Sequence, residues 1–521
     1  MAGKNLDTGA KKTDLLAELD KAVQCFNQGR NDDARKICER VLAVDPDNVK
    51  ALNILAGSLT RTGKIEQAIQ IMERACVLRP RNPTFYNNLS YLHGARGHVL
   101  KAVLAMAQAI LNDTGNTVYQ AKFAQMINHL EFRKVTAETT VIKAAISICM
   151  GNAGIDPGTF STAWHSLFLL EPMSKKILAL TQDGDFKEQA EAVDITELAA
   201  PLADPFFLLG LKSLHATDVR LERILTFFRH FFMSRFDGYD AESFLPFLCA
   251  LAEHCNLNEH VYSHSNEERR MADTLVTNLD LSARADAGVM ARIALISCYK
   301  DLMQLDCAGD IAQASAESRH DDFRMLIENA ISIPMKTRQY QDTISAMPSS
   351  DSDRNVVSSS VAKQYEEHPY PRWRHLDIPV LSKQQRTKGR GRRILIAGCG
   401  TGHESLNMAV HYPEAHVLGV DLSVPSLAYG KQKADELGVD NVEFVQADIL
   451  NLEDLGQQFD LISCSGVLHH MEDPVEGWTR LLTCLKPDGL MKIALYSEPA
   501  RQTVVLCRNW IAEQEFSSTA D

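Results

Sequence analysis

Long apolar runs are missing from this sequence. No stretch reaches the roughly 18 consecutive apolar residues that a membrane-spanning helix requires, and residues 1–12 lack the apolar core of a secretory leader. The 12 cysteines form neither a disulfide-framework spacing nor a Cys-x-x-Cys pair. These absences argue against a membrane or secreted protein and predict a cytoplasmic chain with reduced thiols.

Positive charge is also in deficit. The chain has 54 Lys and Arg against 67 Asp and Glu, a net charge of −13, which argues against broad nucleic-acid affinity. The exception is the basic stretch 383–393, which we interpret as a solvated loop, with an RNA contact as the alternative. The spacing of His254, Cys255, His260 and His264 fits no zinc pattern, so no metal site is predicted.

The N-terminal part of the chain contains a repeat. Small or rigid residues recur 34 positions apart: Gly29, Gly63 and Gly97; Ala34, Ala68 and Ala102; Pro46 and Pro80. This period is the signature of tetratricopeptide repeats, in which small alanines let paired helices approach and proline follows the second helix. We expect repeats over residues 15–114 to stack into a curved array whose groove binds a protein or peptide. The alternative is a helical spacer without a ligand.

The middle of the chain, residues 115–340, is helical by pattern and shows no catalytic motif. Apolar side chains at helical spacing predict core rather than a ligand site: Leu221, Leu225, Phe228 and Phe232. A Ser- and Asp-rich stretch follows. We interpret residues 341–362 as the linker to a C-terminal domain, 363–521.

A glycine-rich turn follows a short apolar run in that domain. Residues 393–397 predict a buried parallel strand, and Gly398, Gly400 and Gly402 then let the backbone turn sharply beside a ligand. A dinucleotide site needs its third small residue at His403, and no phosphate-binding Gly-Lys-Ser/Thr run follows. The loop therefore suits a ligand without a pyrophosphate.

Further apolar runs end in acids. Asp421 lies 19 residues after Gly402 and follows a second predicted strand, about where such folds place a ribose-binding acid. Asp448 ends a third strand, a fourth begins at Phe459, and a turn at 485–490 precedes a fifth. Helical stretches separate these strands, so the pattern predicts a parallel α/β sheet.

Five blocks of this domain carry a family resemblance: Gly398-Cys399-Gly400-Thr401-Gly402, Asp421, Ala447-Asp448, Val467-Leu468-His469-His470 and Leu485-Lys486-Pro487-Asp488-Gly489. With them, residues 393–497 resemble the class I S-adenosylmethionine-dependent methyltransferases. The resemblance implies a Rossmann-like fold, S-adenosylmethionine as cofactor, and methyl transfer. The implied cofactor-binding residues are Ala397, Gly398, Cys399, Gly400 and Gly402 at the methionine part, Asp421 at the ribose, Leu422 at the adenine face, Asp448 at the adenine amino group with Ile449 nearby, and Ser465 in the fourth strand.

The histidine pair after the fourth strand supplies the candidate catalytic residue, His469. A base is needed only when an acceptor oxygen or nitrogen must lose a proton, and the pKa of a histidine lies near neutrality. The alternative is that His469 only shapes the pocket. Cys399 and Cys464 are interpreted as small core residues.

The domain departs from the family pattern at two places. Ile396 stands where many members carry an acid that helps to hold the methionine amino group, so that anchor must come from elsewhere. After the fifth strand only one helical stretch, 500–515, follows. We expect a chain truncated after the fifth strand, or a sheet that stops there with an exposed edge.

A Pro-rich segment, 365–373, precedes the domain, and its two prolines fix an extended path. It predicts either a lid or substrate wall, or a connector that packs on the domain.

Together the patterns predict a multidomain protein: an N-terminal all-α tetratricopeptide solenoid, a helical middle region and a C-terminal α/β methyltransferase domain. The leading hypothesis is methyl transfer from S-adenosylmethionine to an unidentified acceptor, with the repeats recruiting a protein partner or substrate. The alternative is a non-catalytic repeat scaffold whose methyltransferase module is degenerate or truncated. An NAD-dependent reductase is disfavoured by His403.

Overall fold

The computed structural model describes residues 6–152, 154–181, 186–215, 217–236, 238–283, 286–347, 387–497 and 499–514, together with 363, 366, 369, 373 and 376. The chain divides into two compact units. One comprises residues 1–300 and 318–326, and the other comprises residues 301–317 and 327–521. Within the described ranges, no helix is both long enough and apolar enough to cross a membrane.

The first unit begins with paired antiparallel helices. Their bounds are α1 Leu6–Asn27, α2 Asn31–Val44, α3 Val49–Arg61, α4 Ile65–Leu78, α5 Pro83–Ala95, α6 Val99–Asn112 and α7 Thr117–Ile127. Gly29, Gly63 and Gly97 form the turns within the pairs with φ of +76°, +77° and +75°, a conformation that favours glycine. The repeated alanines are buried where the helices meet, so the predicted repeat architecture is confirmed.

An asparagine starts the first helix of three successive pairs. The side-chain Oδ1 atoms of Asn48, Asn82 and Asn116 each accept a backbone N–H from the first turn, at 3.1, 3.0 and 3.2 Å. Such caps satisfy N–H groups that have no partner within the helix. The asparagines recur every 34 residues and so belong to the repeat together with the glycines, alanines and prolines.

The middle region is helical, as predicted. Its helices are α8 Ala137–Met150, α9 Ser161–Leu169, α10 Pro172–Leu180, α11 Phe186–Glu191, α12 Ala199–Leu202, α13 Pro205–Ser213, α14 Val219–Met233, α15 Ala241–Leu257, α16 Asn266–Thr277, α17 Ala287–Ser297, α18 Ala308–Ala316, α19 Asp321–Ile327, a π-helix Glu328–Ser332 and α20 Ile333–Gln341. Short 3₁₀ turns lie at Pro157–Phe160, Ile195–Glu197, Leu281–Ala283 and Leu302–Gln304. The apolar residues predicted as core on α14 are fully buried.

The C-terminal domain contains a parallel sheet. Its strands are β1 Ser345–Ala346, β2 Arg393–Ala397, β3 His416–Asp421, β4 Val442–Gln446, β5 Phe459–Ser465 and β6 Leu485–Ala494, in the order β1-β4-β3-β2-β5-β6. The helices are α21 His403–His411, α22 Val424–Leu437, α23 Pro474–Thr483 and α24 Gln502–Glu513, with 3₁₀ turns at Ile449–Leu455, Leu468–His470 and Pro499–Arg501. The strand order changes direction at β2, because β3 and β4 follow it on one side and β5 and β6 follow on the other. In open α/β sheets, ligands bind beyond the carboxyl ends of the strands at such a reversal.

Two strands differ from the sequence expectation. β1 pairs with β4 at the edge of the sheet, although it comes from the predicted linker, of which residues 348–362 lie outside the described ranges. β6 begins before the predicted turn. Phe459 pairs with Leu485 and Leu461 with Leu490, so the intervening residues loop out opposite Asp460. The sheet therefore has six strands among the described residues instead of five.

Helix α20 packs on α22 within the second unit. Tyr340 Oη donates to Asp435 Oδ2 at 2.9 Å, and Lys336 Nζ lies 3.3 Å from Glu436 Oε1. The end of the predicted middle region is thereby attached to the sheet domain. The domain boundary drawn after residue 340 stays a prediction.

Candidate functional site

The glycine loop after β2 has a backbone that only glycine tolerates well. Gly398, Gly400 and Gly402 have φ of +70°, +51° and +81°, a region that disfavours other residues. A Cβ at Gly398 would lie 2.3 Å from Val467 Cγ2, and one at Gly402 would lie 2.8 Å from the Phe444 ring. The glycines therefore serve both the turn and the close packing of the loop.

Asp421, at the end of β3, is joined directly to this loop. Its Oδ2 accepts Gly400 N–H at 2.8 Å, and its Oδ1 accepts Ser423 N–H at 3.0 Å. Burial raises the pKa of Asp421, and these backbone donors oppose that rise. The backbone N–H of Leu422 is a third donor to this carboxylate, so part of its lone-pair capacity remains for a ligand. The carboxylate can therefore still accept a hydrogen bond from a ribose hydroxyl.

The other predicted adenine-side residues lie around the neighbouring strand end. Ala447 N–H donates to the Asp421 carbonyl at 3.1 Å, and Gln446 Nε2 donates to the Leu422 carbonyl at 2.9 Å. Asp448 Oδ1 caps the following turn by accepting Leu450 N–H at 3.0 Å. The structure thus brings Asp421, Leu422 and Asp448 to one edge of the sheet, and the buried side chain of Ile449 follows directly.

His469 lies in the 3₁₀ turn after β5. Its ring centroid is 4.0 Å from that of Tyr496 and 4.2 Å from that of His470. Burial lowers the pKa of His469, and the nearby His470 and Arg501 lower it further. Both ring nitrogens are buried without a hydrogen-bond partner among the described residues. A neutral imidazole with an unpartnered nitrogen is the form that a general base requires.

Ser465 is a second polar group at this edge that the fold leaves unsatisfied. Its Oγ, at the last position of β5, is buried and has no hydrogen-bond partner in the described part of the chain. Buried polar atoms normally have partners. Together with the open oxygens of Asp421 and the His469 ring, Ser465 gives the strand ends the polar atoms that a nucleoside ligand with an amino-acid tail would satisfy.

The two cysteines near the site, Cys399 and Cys464, are buried in the core. Burial raises the pKa of the Cys464 thiol to about 12 and that of Cys399 well above its usual value. Because the thiolate is the reactive form, both remain neutral thiols in the core, as the sequence analysis expects. Neither contributes charge to the site.

Trp373 packs beneath the glycine loop. Its Nε1 donates to the Thr401 carbonyl at 3.1 Å, and its ring meets those of His403 and Tyr429 edge-on. The remaining described positions of segment 365–373 are 366 and 369, and the rest lies outside the described residues. The end of the segment therefore packs on the domain, which favours the connector interpretation at Trp373.

One acidic residue that the sequence analysis missed lies beside the site. Glu404 follows the third glycine by two residues, in the first turn of α21. Its Oε1 accepts Ser463 Oγ at 2.7 Å and Lys492 Nζ at 2.9 Å. The position of Glu404 directly after the glycine loop is the signal that would have drawn attention to it.

Known protein families match the two ends of the chain. Residues 388–518 match the family model of a methyltransferase domain, and residues 26–83 match that of a tetratricopeptide repeat. Together with the Rossmann-like sheet, these matches define the class of protein. It carries tetratricopeptide repeats near its N-terminus and a class I methyltransferase domain near its C-terminus, as the sequence predicts.

Individual relatives cover only parts of the chain. An uncharacterized protein of Synechococcus sp. is 33% identical over 174 residues, which are 30% of this chain and 40% of that protein. A demethylmenaquinone methyltransferase of Clavibacter sepedonicus is 37% identical over 21% of this chain and 43% of the relative. The solved structure of PKMT2 from Rickettsia typhi in complex with AdoHcy is 26% identical, covers 31% of this chain and 29% of that chain, and has a TM-score of 0.23. The chain thus spans less than half the length of these two curated relatives.

Proposed function

We propose that this protein is an S-adenosylmethionine-dependent methyltransferase. The observation that carries the proposal is the bond between Gly400 N–H and the Asp421 carboxylate, which joins the glycine loop to an acid with open lone pairs at the reversal of the strand order. The residues fit the cofactor because the unsatisfied polar atoms at the strand ends match a nucleoside with an amino-acid tail. When bound, the cofactor supplies a sulfonium-activated methyl group.

Each residue at the edge has a proposed role toward that cofactor. Asp421 accepts hydrogen bonds from the ribose hydroxyls, and Asp448 accepts a hydrogen bond from the adenine amino group. Leu422 and Ile449 enclose the adenine, while Ala397 to Gly402 lie against the methionine part. Ser465 offers its buried hydroxyl from the end of β5. Methyl transfer then depends mainly on how the acceptor is oriented.

His469 is the proposed base. Its lowered pKa favours the neutral imidazole near pH 7, so a nitrogen without a hydrogen-bond partner is available to take a proton from an acceptor oxygen or nitrogen that reaches it. An acceptor that carries no such proton would need only the shape that His469 and Tyr496 give to the pocket.

We propose further that the repeats recruit a protein partner or substrate. Asn88 Nδ2 donates to Asn53 Oδ1 at 3.1 Å, and Lys122 Nζ donates to Asn87 Oδ1 at 3.0 Å. These bonds link the first helices of successive pairs through a row of polar side chains able to bind a peptide backbone.

All 12 cysteines are free, which supports a reducing, cytoplasmic location.

The second candidate function is a non-catalytic scaffold. It is favoured by Ile396, which is 2% exposed in the core of the domain and supplies no charge where the family pattern has an acid. In that case the repeats would bind partners while the methyltransferase domain serves as a structural module.

Calorimetry with S-adenosylhomocysteine separates these candidates. We expect the parent chain to bind and Asp421→Asn to bind about tenfold or more weakly, since hydrogen bonds to a charged group are lost. Asp440→Asn, at an exposed acid of the same domain, is the matched control and should bind like the parent. Failure of the parent to bind would overturn the enzymatic proposal and leave the scaffold.

A further inference from the structure

We propose that Glu404 replaces the acid missing at position 396 and binds the α-ammonium group of the cofactor's methionine part. This inference rests on the proposed function, because it assigns one more contact to the same cofactor. The family pattern places an acid at the end of the strand before the glycine loop, which is β2 in this chain. Here the acid would instead come from α21, the helix that follows the loop.

The sheet register shows why Glu404 reaches the same place. Ile396 pairs with Ser463 across β2 and β5, and Ser463 pairs with Lys492 across β5 and β6. Residues paired in register point to the same face of a parallel sheet. Ile396 packs in one cluster with Leu406 of α21, so this row faces the helix that carries Glu404.

Two side chains of that row fix the Glu404 carboxylate. Ser463 is fully buried, and its hydroxyl donates to Oε1 at 2.7 Å, while Lys492 Nζ donates to the same oxygen at 2.9 Å. No hydrogen bond from the described residues reaches Oε2, and the side chain keeps 28% of its exposure. One oxygen therefore positions the group, and the other remains open to a ligand.

An α-ammonium group suits that open oxygen. It carries a full positive charge and three N–H donors, and a charge-assisted bond to a carboxylate is about twice as strong as a neutral one. The loop of Gly398 to Gly402, proposed to lie against the methionine part, runs directly into Glu404. The anchor therefore lies next to the part of the cofactor that needs it.

The structural alternative is that Glu404 only forms an ion pair between α21 and β6. Lys492 is 58% exposed, and exposed pairs of this kind contribute little to stability. Under that alternative, loss of Glu404 would leave ligand preference unchanged.

Two ligands that differ in the amino-acid tail separate these interpretations. S-adenosylhomocysteine carries the α-ammonium, whereas 5′-methylthioadenosine keeps adenine and ribose but lacks the tail. We expect Glu404→Gln to bind S-adenosylhomocysteine about tenfold more weakly and methylthioadenosine as the parent does. Glu476→Gln is the matched control, since Glu476 also lies in the first turn of a helix and pairs with a basic side chain, Arg480, and it should leave both affinities unchanged.

Lys492→Met provides a second variant that breaks the ion pair but keeps the carboxylate. We expect it to retain the parent's preference for S-adenosylhomocysteine over methylthioadenosine. Equal weakening of both ligands by Glu404→Gln, or unchanged binding of both, would overturn the inference while the proposed function stands. Failure of the parent to bind either ligand would overturn both.

Discussion

Glu268 is a buried carboxylate of the first unit, and its donors determine when it is charged. Ser265 N–H and Tyr299 Oη donate to its two oxygens, each at 2.8 Å, and His230 Nδ1 lies 3.7 Å away. Burial alone would raise the pKa of Glu268, but the adjacent His230 and the hydrogen bonds from Ser265 and Tyr299 outweigh it and lower the pKa to about 2. The charged form is therefore part of the native structure.

This pKa shift predicts that Glu268→Gln lowers the free energy of unfolding by an amount that depends on pH. A lowered folded-state pKa gives stability that is present above the unfolded value, about 4.3, and is lost as the pH falls toward 2. We expect the variant to be less stable at pH 7 by about 2 to 3 kcal/mol, with the difference shrinking between pH 4 and pH 2. Urea unfolding across that range measures it. Glu267→Gln, an exposed neighbour, should show no such dependence, and a constant difference for Glu268→Gln would contradict the assignment.

Single residues were predictable where a local pattern signals them. Asp421 ends an apolar strand at a typical distance from the glycine loop, so its place could be predicted. The partners of Glu404 could not, because Ser463 and Lys492 lie 59 and 88 residues further along the chain. Only the register of three strands brings them together.

The asparagine caps act at the scale of the helix. Asn48, Asn82 and Asn116 each satisfy an N–H of a helix that begins a repeat. We expect Asn82→Ala to destabilise the first unit by about 1 kcal/mol and the triple alanine variant by roughly three times that, since each cap accepts from its own helix and the three share no partner. Thermal unfolding measures both.

Replacement by aspartate supplies the control for these caps. Aspartate caps a helix about as well as asparagine does, because its side-chain oxygen accepts the same N–H. The Asn82→Asp variant should therefore retain most of the stability. If Asn82→Asp lost as much stability as Asn82→Ala, the hydrogen bond would not explain the role of this position.

Strands were predicted less completely than helices. β2 to β5 are apolar runs that the sequence marks clearly, whereas β1 has only two residues and is exposed. Its pairing depends on the β4 edge rather than on any pattern of its own. β6 contains Pro487 and Gly489, which indicate a turn. The structure accommodates them as a bulge opposite Asp460, and Lys486 Nζ donates to Asp460 Oδ2 at 2.8 Å. Tertiary pairing thus overrides the local signal.

At the scale of the whole molecule, the chain forms two compact units, and a different function is proposed for each. The repeats and most of the middle helices lie in the first, and the sheet lies in the second. The proposed cofactor residues belong entirely to the second unit, and the proposed partner-binding row belongs to the first. A ligand for one unit should therefore stabilise that unit selectively.

This division predicts a selective response to S-adenosylhomocysteine. We expect ligand at about 100 times its Kd to stabilise the second unit by roughly 2.7 kcal/mol, and to slow hydrogen exchange at the strand ends of β2 to β5 while exchange in α2 to α7 stays unchanged. Hydrogen-exchange mass spectrometry on the full chain measures both regions at once. Asp421→Asn should lose the protection under the same ligand concentration, whereas Asn53→Ala should keep it. Equal protection of the repeats would contradict the assignment of cofactor binding to the second unit, and protection retained in Asp421→Asn would contradict the role of that carboxylate.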